Sequence, residues 1–479
     1  MTFDALPSSF RDPSGFVFAE NDRIYRQVNK SFAESFDQFI ASGLYEVLVA
    51  KNYLIAHEDV TASTVKRGPD CHRVLAPEIV PYISYPYEWS FSQLKDAAML
   101  TLRIQTIALQ HGYILKDASA YNVQFVNGKP VFIDTLSFEP YSEGTPWVAY
   151  RQFCQHFLAP LALMARVDVG LGKLLVTYID GIPLSLASSL LPLTTRLSYS
   201  LQTHIHLHAK MQETYADAAG SSTSSKNSNA KNQRQLSKTG LQAIVESLAS
   251  AIQSQQWTPP QTEWGDYYDN TNYTDGSTGE KRRLVEEYLV SIDSPLSVVH
   301  DLGANTGEFS RIAAKHAGLV VSQDIDPVAV ERNYRRLSTE THKNILPLLQ
   351  DLYAPSPAIG WGNEERDSFR QRGQCDAIMA LALVHHLAIS NNTPLGHIAA
   401  LFAELAQWLV IEFVPKSDSQ VERLLKTRDD VFPHYNRQGF EEAFSQYFTL
   451  IKDQAVAGSE RRLYLMRSLS SAETFSDDA

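Results

Sequence analysis

The amino-acid sequence predicts an α/β protein in which an α+β domain precedes a doubly wound parallel sheet. Three observations lead to this prediction. The length, 479 residues, is enough for about two to four domains. A hydrophilic segment interrupts the chain near its middle, and apolar strands alternate with helices after that segment. The composition, 44% hydrophobic and 20% charged, is that of an ordinary globular protein.

The hydrophilic segment is expected to divide the chain. Ser221–Gln235 contains no aromatic residue and no aliphatic side chain larger than that of alanine. Such a segment cannot bury enough apolar surface to offset the entropy lost on ordering it. We therefore predict a flexible linker over 221–235, an α+β domain over 1–220 and a second domain over 236–479.

The second domain alternates between apolar runs and helical segments. The predicted strands are Leu296–Leu302, Gly318–Gln323, Ile345–Leu349, Cys375–Leu383 and Trp408–Val414. The predicted helices are Gly307–His316, Pro327–Leu337 and His397–Ala406. Strands that alternate with helices form a parallel sheet covered on both faces. Because ligands of such sheets bind at the carboxyl ends of the strands, we expect the functional residues there.

The first predicted strand ends in a glycine-containing turn, DLGANTG, over Asp301–Gly307. Gly303 and Gly307 allow a sharp turn and a close approach of ligand to backbone. The helix that follows presents unpaired N–H groups. The spacing does not fit the dinucleotide pattern G-x-G-x-x-G, and Glu308 would repel a pyrophosphate at the helix N-terminus. The turn therefore favours a ligand without phosphate groups.

An acidic residue closes each of the first three predicted strands. Asp301 is placed to face an ammonium group of a ligand. Asp324 is placed to accept hydrogen bonds from two ribose hydroxyls, and Asp351 from the exocyclic amine of adenine. We expect the nearby Asp326 to cap the helix that starts at Pro327. The three strand-end acids predict a cationic ligand that carries a ribose and no phosphate.

These motifs, together with QDL at Gln350–Leu352 and CDAIMALALVHHL at Cys375–Leu387, resemble those of class I S-adenosylmethionine-dependent methyltransferases. The resemblance covers roughly residues 264–467 and implies a Rossmann-like fold with S-adenosylmethionine as the cofactor. The residues that it implies for cofactor binding are Asp301, Gly303, Asn305, Gly307, Asp324 and Asp351. The alternative is a doubly wound domain whose strand-end acids serve only as helix caps.

The end of the fourth strand is where this family places acceptor chemistry. Leu383–His386 stands there in place of the Asn/Asp-Pro-Pro-aromatic tetrad of base N-methylating enzymes, and Cys375 lies at the wrong end for methylation of pyrimidine carbons. The candidate catalytic residues are His385 and His386, as general bases, and Glu412. Alternatively, the histidines pack into and cap a helix, and Glu412 is a paired, buried acid. We expect O- or N-methylation of an unidentified small molecule or protein.

The first domain contains a second signature. Asp117, Asn122 and Asp134 resemble the catalytic segment of protein kinases and aminoglycoside phosphotransferases. The resemblance implies that Asp117 orients an acceptor hydroxyl and that Asn122 and Asp134 bind magnesium. Leu115-Lys116 replaces the usual His-x before the first aspartate, and a predicted hairpin over Gly15–Lys30 lacks a glycine-rich phosphate loop. We therefore favour a degenerate module that recognises the acceptor or a protein partner over an active kinase. The alternative is an unrelated α+β domain.

Charge, cysteine content and apolar segments disfavour several classes of partner and predict the cellular compartment. The net charge of −12, from 42 basic and 54 acidic residues, disfavours nucleic acid and membrane surfaces as partners. Three widely spaced cysteines predict neither a disulfide framework nor a metal site. The N-terminus lacks a signal-peptide pattern, and the apolar region Phe153–Leu193, interrupted by charges and glycines, predicts buried helices.

We therefore expect a cytoplasmic methyltransferase. Trp264–Tyr273, which is rich in aromatic residues, is expected to fold over the cofactor or acceptor as a lid, or to pack as an N-terminal flap. Two rival functions remain at this point. One is a phosphotransferase that uses the first domain, and the other is a non-catalytic interaction protein with a vestigial cofactor site.

Overall fold

A computed structural model describes residues 5–21, 23–63, 65–210, 237–262, 275–341, 343–426 and 429–469, except for the side chains of 275–277. The predicted linker 221–235 and the predicted lid Trp264–Tyr273 lie outside the described residues. The chain divides into two compact units. The first is Met1–Thr258 with Ala358–Arg366, and the second is Pro259–Pro357 with Asp367–Ala479.

The first unit contains a four-stranded antiparallel sheet in the order β1-β2-β4-β3 and two strand pairs, β5 with β8 and β6 with β7. Its strands are β1 Gly15–Glu20, β2 Arg23–Asn29, β3 His57–Asp59, β4 Cys71–Pro77, β5 Tyr113–Leu115, β6 Val123–Val126, β7 Lys129–Phe132 and β8 Phe138–Pro140. Its helices are α1 Ala33–Ala41, α2 Leu44–Ala50, α3 Phe91–Gln110, α4 Tyr150–Phe153, α5 Ala159–Arg166, α6 Leu174–Thr177, α7 Leu184–Leu190, α8 Tyr199–Leu201 and α9 Lys238–Ser254. The pairing of β1 with β2 confirms the predicted hairpin over 15–30.

The helices that follow β8 form an apolar interior. α4 and α5 are joined by the π-helical turn Cys154–Leu158, so that 150–166 is one continuous helical stretch. Phe153, Phe157 and Leu161 on this stretch are completely buried. This confirms the prediction that the apolar region forms buried helices. None of the described helices combines the length and the apolar character that a membrane span requires.

α9 belongs to the first unit, although the predicted domain boundary at 221–235 lies before it. The helix presents an apolar face with Leu241, Val245 and Leu248, all buried. Lys95 Nζ donates to the backbone oxygens of Gln253, at 2.9 Å, and of Gln255, at 2.6 Å. The chain therefore passes into the second unit only at Thr258–Pro259, because the first unit covers the apolar face of this helix.

The second unit is built on a seven-stranded sheet in the order β11-β10-β9-β12-β13-β15-β14. Its strands are β9 Val298–Leu302, β10 Leu319–Asp324, β11 Ile345–Leu349, β12 Cys375–Ala380, β13 Ala406–Phe413, β14 Phe448–Ala455 and β15 Arg462–Ser468. Its helices are α10 Asp275–Val290, α11 Glu308–Ala313, α12 Pro327–Leu337, α13 Phe369–Arg372, α14 Leu395–Leu405, α15 Ser419–Leu425 and α16 Arg437–Ser445. β9 to β13 are parallel, which confirms the predicted doubly wound sheet.

The edge of this sheet differs from the prediction. β15 pairs antiparallel with β13, and β14 pairs antiparallel with β15, so the sheet is mixed. No helix separates β14 from β15 in the chain, which forces the two strands into a hairpin.

Both faces of the sheet are apolar and covered by helices. Along β12, Ile378 packs in one core cluster, with Phe402 of α14, whereas Met379 packs in the other, with Tyr288 of α10. Neighbouring residues of a strand point to opposite faces, so the continuous apolar runs fit strands buried on both sides.

The strand order reverses beside β9. The chain runs from β9 outward through β10 and β11 and then returns to place β12 on the other side of β9. In open α/β sheets a crevice opens at such a reversal, outside the carboxyl ends of the strands. The fold therefore predicts a ligand site at the turns that follow β9, β10, β11 and β12.

Gly307 is expected to be essential to the turn after β9. Its φ is +78°, and a Cβ there would lie 2.5 Å from Arg311 Nη1 and 2.6 Å from Asn333 Nδ2. Gly307→Ala should lower the free energy of unfolding by about 2 kcal/mol, because left-handed backbone and crowding both oppose a side chain. Urea unfolding measures this change.

The matched control is Gly396→Ala in α14, where a Cβ would meet no atom within 4 Å. This substitution should raise stability by up to about 1 kcal/mol, because alanine favours helix. Equal effects of the two substitutions would contradict the role given to Gly307.

Candidate functional site

A cavity of about 290 Å³ opens at the carboxyl ends of β9, β10, β11 and β12. Five of the six residues predicted to bind a cofactor line it, namely Asp301, Gly303, Asn305, Asp324 and Asp351. The sixth, Gly307, shapes the turn and does not line the described cavity wall. The structure therefore brings together acids that are up to 50 positions apart in the sequence, where 351 − 301 = 50.

The turn after β9 is attached to the neighbouring strand. Gly303, with φ of +72°, and Ala304 both donate their backbone N–H to the carbonyl oxygen of Gln323, each at 2.9 Å. Asn305 N donates to Asp324 Oδ2 at 2.7 Å. A Cβ at position 303 would lie 3.1 Å from Leu383 Cδ1 on the opposite wall. The glycine thus keeps the cavity open where the walls approach each other.

Asp324 is held by the backbone on both oxygens. Besides the bond from Asn305, Oδ1 accepts the N–H of Asp326 at 2.9 Å. Burial raises the pKa of Asp324 to about 6. Asp326 has a different task, since its own carboxylate accepts the N–H of Val328 at 2.9 Å at the start of α12. This confirms the prediction that Asp326 is a helix cap.

Asp301 and Asp351 differ in their surroundings. Asp301 is 2% exposed and accepts a hydrogen bond from Ser310 Oγ at 2.6 Å. Burial, and to a smaller extent the charge of Asp324, raise the pKa of Asp301 to about 7. Asp351 is half-buried and accepts the N–H of Tyr353 at 2.9 Å. A cationic ligand would favour the ionised form of Asp301, because an opposite charge lowers a carboxyl pKa.

Glu412 lies beneath the cavity rather than on its wall. It is completely buried on β13, and its carboxylate accepts Lys281 Nζ at 2.6 Å and the backbone N–H of Ala382. Arg461 Nη1 is 3.9 Å from the same carboxylate. Although burial opposes the effect, Lys281 and Arg461 lower the pKa of Glu412, so it is ionised. Of the two readings of the sequence, this geometry matches a paired, buried acid.

Lys281 lines the cavity and was not predicted. Burial lowers its pKa, and Glu412 opposes that effect. Its neighbours Arg282 and Arg283 are about half exposed, so the basic run EKRR resembles a solvated helix face. The available signal was the spacing of Lys281 from Leu284 and Tyr288, at i+3 and i+7, which places it on the buried face of α10.

The two histidines lie at different depths. His386 lines the cavity at the start of the π-helical turn His386–Ser390, whereas His385 is buried outside the described wall. Burial lowers the pKa of His386 to about 4 and that of His385 well below its usual value, with Arg461 adding to both effects. Both imidazoles are therefore neutral at neutral pH, and His386 is a weak base.

In the first unit, Asp117, Asn122 and Asp134 lie close together. Asp134 pairs with Arg26 of β2, and although burial opposes the effect, this guanidinium lowers the pKa of Asp134. Burial, and then the charge of Asp134, raise the pKa of Asp117. Lys116 Nζ pairs with Asp12 at 3.2 Å. The kinase-like fold of this half stays a prediction.

Comparison with known proteins shows the family of the whole chain. No family model matches the sequence. Over 468 residues the chain is 37% identical to the nodulation protein NoeA of Rhizobium meliloti (strain 1021). The match covers 96% of this chain and 95% of NoeA. The chain belongs to the NoeA family. The match is long enough to run through both units of this chain.

Solved structures resemble only part of the chain. The alignment with the N-methyltransferase NodS from Bradyrhizobium japonicum WM9 covers 40% of this chain and 97% of NodS. The sequence identity is 14% and the TM-score is 0.30. The alignment with the magnesium protoporphyrin IX methyltransferase ChlM from Synechocystis PCC 6803, with bound SAH, covers 43% of this chain and 93% of ChlM. The sequence identity is 18% and the TM-score is 0.30. Each of these likenesses covers less than half of this chain.

Asp301→Asn is expected to change how stability depends on pH. The folded protein keeps the proton on Asp301 up to about pH 7, whereas an unfolded chain releases it near 3.8. The contribution of this protonated carboxyl to stability is therefore lost as the pH rises from about 4 through 7. Asparagine keeps an acceptor for Ser310 and does not titrate.

The free energy of unfolding of the variant, relative to wild type, should therefore rise by on the order of 2 kcal/mol between pH 5 and pH 8. Urea unfolding of both proteins at the two pH values measures it. A difference that stays constant or shrinks with pH would contradict a raised pKa for Asp301 in the folded protein.

Proposed function

We propose that the protein binds S-adenosylmethionine in the cavity of the second unit and transfers its methyl group to an acceptor. The observation that carries the proposal is the convergence of Asp301, Asp324 and Asp351 on one cavity beside a glycine turn. The cofactor has a sulfonium, an ammonium and a ribose and lacks phosphate, and this donor set fits it. When bound, the cofactor would supply an electrophilic methyl group.

Each part of the wall has a role in this proposal. Asp324, already fixed by two backbone N–H groups, accepts hydrogen bonds from the ribose hydroxyls. Asp351 accepts one from the adenine amine, while Ile325 and Leu383 supply apolar surface for the ring. Asp301 faces the cationic methionine end. These groups orient the donor, and orientation is a large part of the catalysis of a transfer between two bound molecules.

The acceptor is proposed to be an oxygen or nitrogen group of a small molecule or a protein. His386 is the candidate base on the described wall, and its pKa of about 4 makes it a poor proton acceptor at neutral pH. We therefore favour an acceptor that is placed in line with the methyl group and needs little help from a base. The net charge of −12 speaks against nucleic acid. The name of the NoeA relative supports a role connected with nodulation.

For the first unit we propose a degenerate kinase-like module that recognises the acceptor or a partner protein. The pairing of Asp134 with Arg26 supports this role, because it neutralises the carboxylate that magnesium would need. The convergence of Asp117, Asn122 and Asp134 is the observation that favours the second candidate, a phosphotransferase.

Calorimetric titration distinguishes these functions. S-adenosylmethionine should bind the full chain in the micromolar range, and Asp324→Ala should weaken binding by about 30-fold or more, as expected for a charged hydrogen-bond acceptor. Asp326→Asn, which retains a capping side chain outside the described cavity wall, should bind as wild type does. Magnesium-ATP, titrated in parallel, should give no binding. If magnesium-ATP binds and S-adenosylmethionine does not, the methyltransferase proposal is wrong and the first unit becomes the candidate enzyme.

A further inference from the structure

We propose that Lys281 forms a subsite for the α-carboxylate of the methyl donor and thereby selects donors that retain this group. The inference rests on the proposed function, and it assigns a ligand to a residue that the sequence motifs do not mark.

Lys281 carries a positive charge on the described wall of the cavity. Among the described residues of the wall it is the only basic one, apart from the neutral His386. The methionine end of the donor carries an ammonium and a carboxylate. The aspartates suit the cationic groups of the donor, and Lys281 suits the anionic one.

The ammonium group is fixed at the wall before any ligand binds. The side chain of Lys281 is only 4% exposed, and Nζ lies 2.6 Å from Glu412 Oε2. Nζ also lies 4.9 Å from the ring centroid of Phe309, and Phe309 itself lines the cavity. A lysine held from two sides loses little side-chain entropy on binding an anion, which favours affinity.

Lys281 can bind a ligand carboxylate even though it is paired with Glu412. Arg461 provides Glu412 with a second cation, at 3.9 Å, while it also pairs with Asp418 through Nε at 2.7 Å and Nη2 at 3.0 Å. Among the described residues, the two cations and the two acids of this group balance each other. Glu412 therefore stays compensated when Lys281 turns part of its charge toward a ligand carboxylate.

If the pair of Lys281 and Glu412 served stability alone, Lys281 would not need to line the cavity. Replacing a buried ion pair by well-packed apolar residues is often neutral or stabilising, so burial of Lys281 with Glu412 is a weak source of stability. Lys281 also interacts electrostatically with Asp301, so that a basic and an acidic side chain lie where the two charged groups of an amino acid would bind.

The test uses two ligands that differ only in this carboxylate, S-adenosylmethionine and decarboxylated S-adenosylmethionine. Wild type should bind the former about tenfold more tightly or better, as expected for a charge-assisted hydrogen bond. Lys281→Met should weaken binding of S-adenosylmethionine by about tenfold or more and change binding of the decarboxylated ligand by less than about twofold. Calorimetry on the full chain measures all four affinities.

Two further variants keep the test decisive. Lys281→Met/Glu412→Gln removes both charges of the pair and replaces the single variant if that one fails to fold. Arg283→Met changes an exposed cation of the same helix and should leave both affinities unchanged. Equal losses for the two ligands in the lysine variant, or no preference in wild type, would overturn the subsite.

The neutral nucleoside 5′-methylthioadenosine separates this failure from that of the proposed function. If it binds wild type while no preference for the carboxylate is seen, the subsite is wrong and the cofactor site stands. If none of the three nucleosides binds, the proposed function fails and the subsite fails with it.

Discussion

The buried carboxylate of Glu412 is the interaction on which the cavity depends. It joins three elements that are distant in the chain, because it accepts from Lys281 of α10 and from the backbone of Ala382 after β12, and lies beside Arg461 just before β15. An isolated carboxylate at this depth would be costly, and the two cations and the amide offset that cost. The charged group thus fixes the positions of the wall around the apolar sheet.

The loop after β12 shows what this contact achieves. Ala382 has a φ of +52°, a left-handed conformation that is uncommon for a residue with a side chain. Such a conformation persists where the surroundings determine it, and the bond from its N–H to Glu412 is one such determinant. The loop then brings Leu383 and His386 to the cavity, opposite the glycine turn after β9. One buried acid therefore shapes the wall on which acceptor chemistry is proposed.

Much of the fold and of the cavity wall is predictable from local sequence patterns. The five parallel strands follow from apolar runs, and Asp301, Asp324 and Asp351 follow from their positions at strand ends, because parallel strands bring their carboxyl ends to one edge. The features that local patterns did not predict depend on contacts between residues that are distant in the sequence. Lys281 and Glu412 are 131 positions apart, and no local pattern pairs them. The assignment of α9 to the first unit likewise depends on what covers its apolar face, and the antiparallel edge depends on β15 pairing with β13.

A crystal structure of the full chain with S-adenosylhomocysteine tests the central claim most directly. The account predicts the nucleoside in the cavity at the carboxyl ends of β9 to β12, with its ribose hydroxyls within about 3 Å of the carboxylate of Asp324. The adenine amine should lie at Asp351. A nucleoside bound elsewhere, or an empty cavity at a saturating concentration of the ligand, would contradict it.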